Sequence, residues 1–129
     1  MKRLLPILLT LAVLLFLPTE VWSADFQKGW DAYNRGDYAT ALREFTPLAE
    51  QGDADAQFNL GWMYYEGRGV PQDYETAVKW WTLAAEQGDP HAQFNLGVMY
   101  RNGEGVPQDD RTAVKWYTLA AEQGVAGAR

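Results

Sequence analysis

The chain has 129 residues, with 17 acidic and 11 basic side chains, one His and no Cys. That length holds a single domain. Without Cys there is no disulfide frame, thiolate nucleophile, Cys-zinc site or lipid-modified Cys anchor, and one His cannot build a His-rich metal site. A net charge of −6 repels phosphate polymers and anionic lipid, which excludes a nucleic-acid partner, and 47% hydrophobic with 14% aromatic content excludes wholesale disorder.

Residues 1–24 read as a signal peptide. Lys2 and Arg3 are followed by an uncharged run from Leu4 to Leu17, then Pro18 and a short polar stretch to Ala24. The run is 14 residues long. At ~1.5 Å per residue it spans about 21 Å, short of the ~30 Å hydrocarbon core, so export with cleavage is expected rather than a retained anchor. Val21 and Ser23 fit cleavage after Ser23, with Ala24 as the next candidate. The membrane is then met only during export, and the destination is the periplasm or the cell exterior. Setting aside Lys2, Arg3 and Glu20 leaves 16 acidic against 9 basic side chains.

Residues 25–50 form a loose helix pair, marked by Gly29-Trp30, Tyr33, Gly36-Asp37-Tyr38, Ala41, Phe45 and Leu48-Ala49-Glu50. Residues 51–86 and 87–122 are two closely matched copies with a period of 36, identical at 27 of 36 positions. Repeats of this length mean stacked units, none of which buries its apolar face alone. In each copy the first helix is expected over 54–66 and 90–102, capped by Asp53 and Asp89, with Pro90 at the first helical position. It stops at Gly67 or Gly103. The second helix is expected over 74–87 and 110–123, capped by Asp73 and Asp109 and closed by Gly88 and Gly124. Residues 123–129 stand as a stub where a further copy would begin. No segment alternates with a strand period. The fold expected is all-α: antiparallel helix pairs stacked into a short α-solenoid.

Leu-Gly-x-Met-Tyr, Gly-x-Gly-Val-Pro-Gln-Asp and Ala-Val-Lys-Trp-(Trp/Tyr)-x-Leu-Ala-Ala-Glu-Gln-Gly, all within residues 51–124, resemble the Sel1-like repeat, a subclass of the tetratricopeptide-type helix pair. The pair at 25–50 resembles a plain tetratricopeptide unit. The resemblance implies an adaptor that holds a protein or peptide partner on its concave face.

Gly61 and Gly97 lie mid-helix, where Gly costs ~1 kcal/mol against Ala, so close approach of the paired helix is expected there. The acid pairs Asp53/Asp55, Asp73/Glu75 and Asp109/Asp110 open helices and meet the helix dipole, which is their expected role in place of catalysis. His91 has no nucleophilic partner fixed by spacing. No catalytic set, metal site or cofactor is expected. Tyr64, Tyr74, Trp80, Trp81, Tyr100, Trp116 and Tyr117 fall on the packing stripes and are expected in the core.

The two copies differ on the first helix at 54/90, 55/91, 62/98, 65/101 and 66/102. Positions 55, 62 and 66 project within about 40° of one another on a helical wheel, so one face stays fixed while another varies. The tetratricopeptide resemblance implies that the first helix lines the concave groove; counted from the Leu-Gly pair, the groove-facing set is then Asp55, Phe58, Trp62 and Tyr65 in one unit, and His91, Phe94, Val98 and Arg101 in the next. In the first unit it is Phe26, Trp30 and Tyr33. Rings with an Arg have the composition of a binding hot spot. Arg68/Glu104 and Glu75/Arg111 swap sign between copies and are expected on a solvated convex edge with cross-unit charge pairing.

The function expected is non-enzymatic capture of a protein or peptide partner in the bacterial cell envelope. The alternatives are a small peptidoglycan-binding or peptidoglycan-hydrolysing protein, or a subunit that docks or self-associates through its C-terminal helix.

Overall fold

The computed structural model describes residues 24–125 and residue 127. The expected signal peptide lies outside them except for Ala24, as do Ala126, Ala128 and Arg129 of the stub. The described residues form six α-helices: α1 (Phe26–Asn34), α2 (Tyr38–Glu50), α3 (Ala54–Glu66), α4 (Tyr74–Glu86), α5 (Pro90–Asn102) and α6 (Asp110–Glu122). There is no strand among them. Each helix packs on the next in chain order, which gives the stacked pairs of a helical solenoid. None of the described helices is long and apolar enough to cross a membrane.

Aspartates set the helix starts. Asp25, Asp37, Asp53, Asp73, Asp89 and Asp109 each turn a side-chain oxygen onto free backbone N–H groups of the first turn. Pro90 takes the first helical position of α5, where its missing donor costs nothing. The long loops begin at Gly67 and Gly103, both left-handed (φ +69° and +68°), so α3 and α5 stop there. The observed α4 and α6 end one residue before the expected bounds, because Gln87 and Gln123 have left the helix as C-caps.

Inside each pair, a ring on the second helix enters the space left by a glycine on the first. Phe45 faces Gly29, Trp81 faces Gly61 and Tyr117 faces Gly97. A Cβ at Gly61 would fall inside the Trp81 indole, and one at Gly97 would stand 2.6 Å from the Tyr117 ring. Trp81 also donates from Nε1 to the Phe58 carbonyl at 3.0 Å. The helical penalty of glycine is offset by this close approach.

Two apolar clusters close the boundaries between pairs. One joins Ala32, Phe45 and Ala49 to Leu60 and Met63 across α2 and α3; the other joins Val78, Trp81 and Ala85 to Leu96 and Met99 across α4 and α5. Burying a Leu or Met side chain is worth about 1.5–3 kcal/mol, so each boundary is a core that neither neighbouring pair makes alone. A glutamine clasp repeats over both. Gln57 donates to the Ala49 carbonyl at 3.0 Å and Gln93 to the Ala85 carbonyl at 3.2 Å. Gln87 and Gln123 in turn donate to the side chains of Gln57 and Gln93, each at 2.9 Å.

The rings expected in the core divide. Only Trp81 is fully buried, at 1% exposure; Tyr64, Tyr74, Trp80, Tyr100, Trp116 and Tyr117 are half-buried. A solenoid of this width has one layer of helix contacts, so a ring on a packing stripe reaches solvent at its far edge. Val114 on α6 is 61% exposed, whereas the equivalent Val78 is 6% exposed against α5.

Candidate binding furrow

The first helices of the three pairs, α1, α3 and α5, lie along one side of the stack. Three depressions run across them. The first, of about 340 Å³, is walled by Phe26, Trp30, Asp55 and Phe58. The second, of about 260 Å³, shares Trp30, Phe58 and Asn59 and adds Tyr33, Trp62 and Glu66. The third, of about 170 Å³, shares Trp62 and adds Tyr65, Phe94, Val98 and Asn95 over a floor that includes Trp81. The shared walls make them one furrow across both unit boundaries.

Nine of the eleven residues singled out from the sequence wall this furrow. His91 is exposed beside it, its ring 6.1 Å from Phe58. Arg101 is exposed and walls none of the three depressions. The rings brace one another. Phe58 and Tyr65 each meet Trp62 edge to face, with centroids 6.4 and 5.5 Å apart. Trp62 meets Trp81 the same way at 5.3 Å, and Trp30 stacks parallel to Tyr33 at 6.1 Å. Such pairs add about 0.5–1.5 kcal/mol each beyond area and hold the rings in place.

Sequence reasoning passed over three polar residues. Asn59 donates to the Asp55 carbonyl at 2.8 Å, one turn back on α3. Its equivalent Asn95 makes no such bond: its Nδ2 is buried with no partner among the described residues, in the wall of the third depression. Glu66 borders the second depression, and its Oε2 takes Arg68 Nε at 2.7 Å and the Tyr33 hydroxyl at 3.4 Å. Burial, then the Glu66 carboxylate, pushes the Tyr33 phenol above its ordinary value.

Arg68 departs from its expected place on a convex edge. Its guanidinium lies over the rings of Tyr33 and Tyr38, 5.8 and 5.4 Å from their centroids, and donates to the Tyr38 hydroxyl at 2.8 Å. Its ion pair is with Glu66, and no bridge joins Glu75 or Arg111 to a neighbouring unit among the described residues. The loop folds Arg68 back because a guanidinium gains from ring faces and a carboxylate together.

The carboxylates that open α4 and α6 are engaged by their own helices. Asp73 accepts from the Thr76 hydroxyl and Asp109 from the Thr112 hydroxyl, both at 2.7 Å. Those bonds, with backbone N–H groups, hold both acids below the ordinary carboxylate value. No group of three or more His, Cys, Asp or Glu side chains suited to a metal occurs among the described residues.

Helix pairs stacked in chain order define a helical repeat protein. The Sel1 repeat profile matches residues 54–89 and 90–125, and the chain belongs to the Sel1 repeat family. Members of the family are in general protein-interaction scaffolds, not enzymes. Among solved structures, a Sel1 repeat protein from Oxalobacter formigenes is 38% identical, with a TM-score of 0.77 over 81% of this chain and 43% of its own. A protective antigen of uropathogenic Escherichia coli strains, which displays an SLR fold, is 44% identical, with a TM-score of 0.75 over 80% of this chain and 23% of its own. The chain thus spans less than half the length of either. Helicobacter pylori cysteine rich protein B, 23% identical over 74% of this chain and 69% of its own with a TM-score of 0.65, shares the fold. No curated protein sequence matches the chain.

Proposed function

We propose that the chain is a non-enzymatic scaffold of the bacterial cell envelope that captures an extended peptide segment of a protein partner in the furrow of α1, α3 and α5. The observation that carries this reading is the run of braced rings from Phe26 to Phe94 along α1, α3 and α5. The rings are already held by their neighbours, so binding orders few of the protein's own side chains. Export supplies the location: the segment 1–24 has the charge and length of a signal peptide.

The test is to pan a degenerate octapeptide library on the purified chain and on Trp62→Ala. The unsubstituted chain is expected to enrich a common pattern. Trp62→Ala should weaken the enriched peptides about tenfold or more with helicity unchanged, since hot-spot rings cost at least ~2 kcal/mol when truncated. Failure to enrich any pattern, or equal binding by the variant, contradicts the reading.

A further inference from the structure

The furrow differs chemically along its length, and the difference specifies what it takes. The third depression is walled by Trp62, Tyr65, Phe94 and Val98 and has no charged side chain. The first and second present the faces and edges of Trp30, Tyr33, Phe58 and Trp62 together with two carboxylates, Asp55 and Glu66, and no basic side chain. The Asp55 carboxylate has no ion-pair partner among the described residues, whereas Glu66 is already held by Arg68 and the Tyr33 hydroxyl. Aromatic faces carry negative potential, and a carboxylate beside them deepens it. The protein itself uses this combination once. Arg68 lies over Tyr33 and Tyr38 with Glu66 as its counter-ion, outside the wall of the second depression.

Resting on the capture reading above, we propose that the α1/α3 end of the furrow is a receptor for a cationic side chain, Lys or Arg, of the partner segment, while the α3/α5 end takes an apolar one. The rings of Phe26, Trp30 and Phe58 in the first depression desolvate the stem of that side chain, and Asp55 faces its charged head. The net charge of −6 favours approach of a basic segment from a distance. An acidic segment would meet the Asp55 carboxylate, which has no counter-ion among the described residues, and is rejected.

The test uses the library described above. Enriched octapeptides are expected to carry Lys or Arg beside apolar residues. Each is then synthesised with Lys and with norleucine, which keeps the stem and removes the charge, and both are titrated against the unsubstituted chain. The Lys form is expected to bind about tenfold tighter, a preference that shrinks as salt is raised. Asp55→Asn is expected to cut the preference about threefold by weakening the Lys form more than the norleucine form, which a merely structural role would not do. Equal binding of the two peptides, or enrichment without a basic residue, overturns the cation site and leaves peptide capture standing. No enrichment at all overturns both.

Discussion

The boundary between the first and second pairs and the one between the second and third are built alike and finished differently. Both are closed by small apolar residues and a glutamine clasp. At the first, Tyr33 and Tyr38 hold the Arg68 guanidinium beside Glu66. At the second, the equivalent Tyr65 and Tyr74 stack on each other at 5.0 Å, and Asn102 and Glu104, bonded at 3.1 Å, stand where Glu66 and Arg68 stood. Burial, then Glu104, raises the Tyr65 phenol, with no cation to offset them. The ring inside the pair changes too: Trp81, bonded to the Phe58 carbonyl, becomes Tyr117. Most repeated positions carry the stacking and most substituted ones lie on the exposed face, with Trp81/Tyr117 the exception inside the pair. A repeat protein can therefore alter what it binds without disturbing what holds it up.

The largest expected break in this comparison is at those two rings. Trp81→Ala should cost about 4 kcal/mol in urea unfolding, since it empties a site buried on all sides. Tyr117→Ala should cost about 2 kcal/mol, because its ring is half-buried and its space is partly open to solvent. Equal costs would mean that the two pairs are not packed as described.

A smaller effect separates the caps, which are the same in both units, from the rings, which are not. Asp37, Asp73 and Asp109 titrate below their ordinary value, first because a Thr hydroxyl or backbone N–H donates to each carboxylate. A depressed carboxylate contributes stability that is whole above its unfolded value of 3.8 and is lost as pH falls through the lower folded value. The melting midpoint should therefore drop on acidification below about pH 4. Thr76→Val and Thr112→Val should each flatten that drop by a similar amount. Unequal flattening would show that the caps are not equivalent.

Much of this was legible in the sequence. The Asp and Gly that flank each helix place α3 and α5 at the observed bounds, and mid-helix Gly61 and Gly97 announce the close approach of the facing ring. The Leu-Gly register also puts Phe58, Trp62, Phe94 and Val98 on one side of the stack. Depth was not legible. A helical wheel gives direction but not how far the next helix stands off, so Tyr74 and Trp80 read as core although they are half-buried. Nor does periodicity show a loop folding back, which is why Arg68 reads as a convex-edge charge and its ion pair with Glu66 is missed. Asn59 and Asn95 are identical in the repeat, yet Asn59 Nδ2 is bonded and Asn95 Nδ2 has no partner among the described residues.

The most direct test of the ring-lined face is a nitrogen-proton correlation spectrum of the chain titrated with an enriched octapeptide, read at the tryptophan indoles. The account predicts that the Trp30 and Trp62 signals shift and saturate together while those of Trp80 and Trp116, which wall none of the three depressions, stay in place. Saturable shifts at Trp80 or Trp116 with Trp30 and Trp62 unmoved would contradict it.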